Sequence, residues 1–322
     1  MKANLHFHSC YSDGTQWPEE MVVRASNVNL KLIALTDHDT MQGVPSFLRI
    51  CQENNIQGIP AVEIDCIDSI QLDNGEYFNF DMEILAYFPY NIEENKWFSS
   101  QTFSLVEKRR EIRKERIQED LEKIKSYFNS EIISYKNLLD YKFRNYKEYF
   151  ENLPLSWSRS DLYNFLISLN IIDEKTLREK AREKVIKNSS PYRYFKSEIL
   201  EGSIKREIKK PKLTSILKII TKDNGFAVLP HPGHLFSDNI SKIKKNEKNL
   251  INFLEICKEL GLWGIEIYYY HENNDKGLEI NNFVRKTANY LKLELTYGSD
   301  CHGKSSRQDF FENFWGDFLG FL

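Results

Sequence analysis

The sequence has few cysteines, and no two of them are close together. Five occur in 322 residues: Cys10, Cys51, Cys66, Cys257 and Cys301. None belongs to a C-x-x-C pair, the spacing that thiolate zinc sites and many redox sites use. This pattern argues against a disulfide scaffold and a cysteine zinc site, and we expect reduced thiols.

Long apolar runs are also missing. The runs around Leu32–Leu35 and Phe226–Leu229 are far shorter than the ~20 residues that a membrane span needs. The first residues, MKANLHFH, lack the apolar segment of a secretory signal, so we expect a cytoplasmic protein without a membrane partner. Hydrophobic residues make up 41% and charged residues 28% of the chain, a balance typical of globular proteins. The formal net charge of −3 identifies no partner.

Short apolar runs alternate with helical patterns in two parts of the chain. A helical stretch that opens at Pro18, for example, separates the first two runs. The alternation predicts an α/β fold whose parallel strands are joined by crossover helices. Strands are predicted at 3–8, 31–36, 56–65, 77–88, 225–229, 264–268 and 293–297.

The segment between these two parts has a different character. Residues 97–212 are rich in charge, poor in glycine and carry apolar residues at helical spacing. We therefore predict a barrel built from residues 1–96 and 213–322, interrupted by a helical insertion, or cap, of residues 97–212. Within it, 181–212 carries ten lysines and arginines against four acidic residues. This basic run is either a solvated helix face or a surface for phosphate or nucleic acid, and the sequence leaves both open.

All seven histidines stand at or just after a predicted strand. In an α/β barrel the C-terminal ends of the strands form the functional face, so residues from distant parts of the chain meet there. We therefore expect these side chains to converge. The histidines are His6, His8, His38, His231, His234, His271 and His302.

Carboxylates accompany the histidines. His6 and His8 are two residues apart, so on a strand they point to the same face and can hold one ion together. Asp300 and His302 repeat this spacing, and Glu63 ends another predicted strand. Oxygen and imidazole ligands together suit manganese, zinc or iron. The pattern predicts a divalent metal site.

Six segments in this order resemble the polymerase and histidinol phosphatase (PHP) family over nearly the whole chain. That resemblance implies a distorted seven-stranded (β/α) barrel with a site for two or three divalent ions, among Mn, Zn, Fe and Mg. The segments are HFHSCYSDG at 6–14, LTDHDT at 35–40, IPAVEI at 59–64, HPG at 231–233, GIEIY at 264–268 and GSDCHG at 298–303.

The resemblance also implies a role for each ligand. The first ion would be held by His6, His8, Glu63 and Asp300, with Glu63 as a bridge; the second by His231 and Glu63; the third by Asp13, His38 and His302. His38, Glu63 and Asp300 are the positions we expect catalysis to depend on most.

One position departs from the family pattern. The family usually has a histidine where this chain has Glu83. Glu83 is either a ligand, which favours a harder ion such as manganese or magnesium, or an ordinary strand glutamate. Asp37 and Asp39 flank His38 and are candidates for orienting the ligands.

The implied chemistry is hydrolysis of a phosphate ester. Metal ions lower the pKa of a bound water, which then supplies hydroxide for attack on phosphorus. In the subgroup that acts on nucleotides, a helical insertion with arginines covers the site, and Arg159 is our candidate for a phosphate clamp. His234 and His271 either contact the substrate or have structural roles.

Three functions fit this pattern. The first is a phosphatase for a nucleotide or another small phosphomonoester. The second is a nuclease that trims the end of DNA or RNA, acting alone or with a partner protein, because the basic run 181–212 could follow a nucleic-acid backbone. The third is a non-catalytic PHP subunit of a larger assembly.

Overall fold

The computed structural model describes residues 1–89, 96–144, 146, 152–186, 189–200, 209–270, 274–304, 306 and 308–321. It divides into two compact units. Met1–Glu107 and Lys210–Leu322 form the barrel unit, and Lys108–Lys209 form the helical unit. Residues 97–107, which we assigned to the insertion, belong to the barrel unit because Trp97 and Val106 are fully buried in its core.

Eight strands, counted over the described residues, form one sheet in the order β7-β6-β5-β4-β3-β2-β1-β8. The sheet is nearly closed, because chain beyond β1 also bonds to chain at the end of β7: Leu5 N donates to Tyr297 O at 2.7 Å. The predicted α/β barrel is thus confirmed, with a short eighth strand added. The strands are β1 Lys2–Asn4, β2 Leu32–Leu35, β3 Gln57–Gln71, β4 Tyr77–Tyr87, β5 Phe226–Leu229, β6 Leu262–Tyr268, β7 Glu294–Gly298 and β8 Gly316–Asp317.

Strand β4 runs against its neighbours, so the expectation of parallel strands is wrong there. It pairs antiparallel with both β3 and β5. Only residues 72–76 separate β3 from β4, and a connection this short can form a hairpin but not a parallel crossover. Leu72 N donates to Glu76 O at 2.8 Å, and Gly75 supplies a positive φ of 82° in the turn.

Helices surround the sheet and build the helical unit. Pro18 opens the first helix, where Glu20 accepts a hydrogen bond from Trp17 N at 2.8 Å and so caps its N-terminus. None of the helices among the described residues has the length and apolarity that crossing a membrane requires. They are α1 Pro18–Asn27, α2 Val44–Glu53, α3 Gln101–Phe128, α4 Tyr135–Lys142, α5 Arg159–Ser168, α6 Glu174–Glu183, α7 Pro191–Tyr194, α8 Leu213–Lys222, α9 Ile240–Lys245, α10 Glu247–Glu259 and α11 Asn274–Leu291.

The helical unit has its own buried side chains. Trp157, Phe165 and Phe195 are fully buried, and Ser158 caps α5 through a hydrogen bond that it accepts from Ser160 N. Residues 201–208 of the basic run lie outside the described residues, so the two interpretations of that run both stay open.

The aromatic C-terminal tail is packed against the barrel. Phe311, Phe318 and Phe321 are buried, and the N-terminal amine donates to Phe318 O at 2.7 Å. Strand β8 pairs antiparallel with β1. The tail therefore fixes the strand that leads into His6 and His8.

This packing predicts a stability difference between two neighbouring residues. We expect Phe318→Ala to lower the free energy of unfolding by about 3–5 kcal/mol, because it removes a buried ring and leaves a cavity. Leu319→Ala is the matched control: Leu319 is 85% exposed, so its change should stay within about 0.5 kcal/mol. Urea unfolding of the full chain measures both. Equal effects of the two substitutions would contradict the packed tail.

Candidate metal centre

Among the described residues of the barrel unit, three groups of imidazoles and carboxylates could each hold a metal ion. Within a group the ligand atoms lie within 4.8 Å of one another. The groups share members, since His8 belongs to the first two and Glu63 to the last two. They are His8, Asp13, His38 and His302; His6, His8, Glu63 and Asp300; and Glu63, Glu83 and His231.

His6 and His8 follow β1 on an extended segment. Phe7 between them is fully buried and packs against Phe47 and Phe311, so the alternation of side chains turns both imidazoles to the opposite face. The backbone holds this segment beside the chain after β7: Asp300 N donates to His6 O at 2.8 Å. Barrel closure therefore brings the first and last predicted ligand segments together.

Several site residues adopt a left-handed backbone that non-glycine residues rarely use. The φ angles of Asp39, His231 and Asp300 are 49°, 30° and 50°. Each follows a strand at the functional face. Such conformations cost roughly 1–3 kcal/mol and concentrate at functional sites, which supports a role for these strand ends beyond folding.

Glu63 lies at the centre of the three groups. Its Oε2 is 3.3 Å from His6 Nε2, 3.2 Å from His8 Nε2 and 3.3 Å from His38 Nδ1. Its Oε1 is 3.1 Å from His231 Nε2. The two oxygens thus face different groups, which is the arrangement that a bridging carboxylate needs.

The buried charges of the site depend on one another. Burial raises the pKa of Glu63, but the positive charges of His6 and His38 and a hydrogen bond from His231 hold it well below its usual range. Burial lowers the pKa of His8, yet hydrogen bonds and charges from Asp300 and Glu63 raise it to about 10. The buried carboxylates therefore need compensating positive charge, which comes either from protons on the imidazoles or from metal ions that displace those protons.

The donor set fits divalent cations. It combines imidazole nitrogen with carboxylate oxygen, which suits manganese, zinc or iron. In addition, His8 Nδ1 and His231 Nδ1 are buried and have no hydrogen-bond partner among the described residues. Buried polar atoms without partners are rare in proteins and call for an ion, a water or a functional role.

The structure places Glu83 beside Glu63 and His231, within reach of the same ion. Burial raises the pKa of Glu83 to about 8, and the charges of Glu63 and Asp65 add to the rise. Lys210 opposes it; its Nζ lies 3.7 Å from Asp65 and 2.7 Å from Asp81. A metal ion bound at this group would offset the repulsion between the neighbouring carboxylates. Ligation by Glu83 remains a prediction.

The sequence as a whole matches a known family. The sequence model of the PHP domain matches residues 4–282. The chain belongs to the PHP domain family. A solved structure from Bifidobacterium adolescentis, provisionally described as a metal-dependent phosphoesterase, is similar with a TM-score of 0.66 and 18% identity over 98% of this chain and 92% of that one. At this identity the likeness shows the PHP fold and nothing further.

Curated relatives match only short segments. The 5'-3' exoribonuclease of Haemophilus influenzae is 41% identical over 63 residues, 20% of this chain and 23% of the relative. An error-prone DNA polymerase of Mycolicibacterium paratuberculosis is 39% identical over 64 residues, 19% of this chain and 6% of the polymerase. The chain therefore spans less than a quarter of the length of either relative.

Sequence reasoning missed one buried carboxylate of this PHP site. Glu266 on β6 is fully buried, with Oε1 2.9 Å from His6 Nδ1, and Oε2 accepts from His231 N at 2.8 Å. It orients two candidate ligands of different groups at once. The sequence signal for this residue was a glutamate within the otherwise apolar segment GIEIY, since a buried strand tolerates an acidic residue only where polar partners surround it.

Asp37, a predicted orienting residue, organises the loop after His8. It accepts hydrogen bonds from Ser9 N at 2.7 Å, Ser9 Oγ at 2.6 Å and Ser12 Oγ at 2.6 Å. This loop also carries Asp13, whose Oδ1 lies 3.2 Å from His302 Nε2. Asp37 thus supports the first group without belonging to it.

The three predicted substrate residues have different surroundings. His234 is exposed, and its ring centroid lies 4.6 Å from that of His231. Arg159 lies in the helical unit, where Nε donates to Asp120 Oδ2 at 2.8 Å. His271 lies outside the described residues. Contact of these residues with substrate stays a prediction.

The position of Glu266 beside two candidate ligands predicts that replacing it weakens metal binding. We expect Glu266→Gln to weaken binding of Mn²⁺ by about 10- to 100-fold, because loss of a residue that hydrogen-bonds to metal ligands typically lowers metal affinity by this factor. Glu294→Gln, at an exposed position on β7, is the matched control. Isothermal titration calorimetry measures both affinities. Unchanged affinity in Glu266→Gln would remove its orienting role.

The two interpretations of Glu83 predict different metal preferences. If Glu83 is a ligand, Glu83→His should raise zinc binding relative to manganese, because imidazole suits zinc better than a carboxylate does. The measurement is the metal content of protein equilibrated with both ions, with Glu294→His as control. The same ratio in Glu83→His and in the unaltered protein would make Glu83 an ordinary strand glutamate.

Proposed function

We propose that this protein is a metal-dependent phosphoesterase that hydrolyses a nucleotide or another small phosphomonoester. The observation that carries the proposal is the sharing of Glu63 and His8 among three ligand groups. Shared ligands place ions next to one another, and adjacent ions suit displacement at phosphorus. Family membership supports the same chemistry.

The residues of the chain have separable tasks in this proposal. When bound, the divalent ions supply positive charge for the phosphoryl oxygens and activate water near neutral pH. Glu63 and Asp300 provide the negative charge that holds those ions. Asp300 is itself held by Gln308 Nε2 at 3.3 Å and Tyr268 Oη at 3.4 Å. These contacts fix the carboxylate that Asp300 contributes to the group with His6, His8 and Glu63.

His234 is our candidate for the group that meets the leaving oxygen. Its Nδ1 lies 3.3 Å from Asp238 Oδ1, which orients the ring and directs Nε2 away from Asp238. Its side chain is 41% exposed, so a substrate can reach it. Partial burial and then the positive charge of His231 lower the pKa of His234 to about 3, so its ring is neutral near pH 7 and would contact the leaving group by hydrogen bonding, not as a charged acid.

A nuclease is the second candidate. The segment that resembles the Haemophilus influenzae exoribonuclease covers 20% of this chain, and the same ions would serve a phosphodiester. A partner protein is compatible with either activity. The third candidate, a non-catalytic subunit, is less favoured because burying so many carboxylates and imidazoles together is costly, and a subunit without catalysis gains nothing from that cost.

A substrate panel tests the proposal. Manganese-loaded protein should release phosphate from nucleoside monophosphates or other small monoesters, and a His38→Ala, Asp300→Ala double variant should lose at least about a hundredfold in rate. Asp140→Asn, an exposed carboxylate, is the control and should keep full activity. The assay is colorimetric phosphate release.

The panel also includes 5'-phosphorylated RNA and DNA oligomers. Shortening of the oligomers with release of mononucleotides, and no phosphate from the monoesters, would assign the nuclease instead. No product from any substrate, with metal shown to be bound, would contradict both enzymatic functions and leave the non-catalytic subunit.

A further inference from the structure

Four carboxylates share one face of the hairpin formed by β3 and β4. Asp65 lies directly opposite Glu83 in the register of the two strands, so their side chains project to the same side. Glu63 and Asp81 each stand two residues before one of this pair, and the alternation along a strand turns them to that side as well. Like charges directly opposite each other across two strands repel. This face of the hairpin therefore needs a cation.

Lys210 supplies a cation from within the chain. Its Nζ lies 2.7 Å from Asp81 Oδ1 and 3.7 Å from Asp65 Oδ1. These two acids flank Glu83, one of them on the same strand and the other opposite it. Lys210 therefore stands beside the third ligand group without being a member of it. We name this group, which consists of Glu63, Glu83 and His231, the Glu83 group.

The backbone keeps Lys210 beside the hairpin. Pro211, the next residue, accepts a hydrogen bond from Ile67 N at 3.0 Å. Thr214 N and Oγ1 donate to Asp68 Oδ2 at 3.0 Å and 2.8 Å. The residues that follow Lys210 are thus attached to β3 by both main-chain and side-chain bonds. Its ammonium has a fixed place in the barrel unit, to which all of these residues belong.

The positive charge of Lys210 is present throughout the neutral pH range. Burial lowers the pKa of Lys210, but the charge of Asp65 and the hydrogen bond and charge of Asp81 raise it above its usual value. A metal ion at the Glu83 group would be attracted to the same carboxylates as this ammonium. Because the two are both positive, each would also repel the other.

We propose that Lys210 sets how tightly the Glu83 group binds a divalent cation. It balances part of the negative charge around Glu83, so the carboxylates can lie close together, and through repulsion it weakens the binding of an ion. The inference rests on the metal centre of the proposed function. It gives Lys210 a role that is neither ligation nor contact with substrate: an ion at this group exchanges more readily than it would beside the carboxylates alone.

Binding of Mn²⁺ to the full-length protein tests this role without any substrate. Electron paramagnetic resonance measures free Mn²⁺ during a titration at constant ionic strength. Glu83→Gln removes a ligand from the Glu83 group alone and so identifies the binding step that belongs to this group. In Lys210→Met we expect that step to be about tenfold tighter, because removing a unit charge near a divalent ion in a partly exposed site changes the affinity by roughly this factor.

The direction of the change separates this role from a structural one. If Lys210 only braced the hairpin, replacing it would lower the unfolding temperature and would not raise the affinity for Mn²⁺. Lys210→Arg keeps the charge and should bind Mn²⁺ like the unaltered protein. Asp65→Asn removes a negative charge beside Glu83 and should weaken the same step by about tenfold. Lys212→Met, at an exposed position two residues further on, is the matched control.

Each outcome decides for or against the role of Lys210. A tighter step in Lys210→Met with a weaker one in Asp65→Asn supports it. An unchanged or weaker step in Lys210→Met would overturn it, whatever the unfolding temperature does. Unchanged steps in Glu83→Gln, or no binding of Mn²⁺ to any variant, would also overturn it, and the latter would remove the metal centre as well. Phosphate release is measured separately, so failure of the proposed hydrolysis is distinguishable from failure of this inference.

Discussion

The pairing of Glu63 with imidazoles from several strands is the interaction on which the candidate metal centre depends. The side chain is 1% exposed, and a buried carboxylate costs several kcal/mol unless it is paired and hydrogen-bonded. Its partners His6, His38 and His231 follow β1, β2 and β5. Because one carboxylate must satisfy groups from separate strand ends, the strands can hold their charges only in the closed arrangement that brings those ends together. Folding and site assembly are therefore the same event.

Barrel closure explains how residues almost 300 positions apart share an ion site. His8 Nε2 lies 2.9 Å from Asp300 Oδ1, although 292 residues separate them. Backbone hydrogen bonds between the segments after β1 and β7 hold the two residues at this distance. The buried tail then secures β1 from its other edge through β8. Strand pairing thus fixes the positions of the candidate ligands.

The sequence could predict those features of the candidate site that depend on where the strands end. His6, His38, His231 and Asp300 stand just after strands whose ends meet at one edge of the sheet. Glu63 was also expected at a strand end, but β3 continues to Gln71 and Glu63 lies within it. The direction of β4 was predicted wrongly, because the parallel pattern was extended across the DNGE turn at 73–76, which is long enough only for a hairpin. The pairing of Arg159 with Asp120 could not be foreseen at all: 39 residues and a change of helix separate the two, and no local pattern encodes such a contact.

The two units differ in how their buried charges can be compensated. In the barrel unit the imidazoles can give up protons, so the carboxylates can be balanced either by protonated imidazoles or by metal ions, and pH and metal supply decide between the two. A guanidinium cannot lose its charge in this way, because it stays protonated throughout the physiological pH range. The positive charge of Arg116 therefore persists near neutral pH, and Asp120, which is paired with Arg159, offsets it only in part. The compensation of charge in the barrel unit can therefore change with pH or metal supply, whereas the guanidinium charges of the helical unit stay fixed.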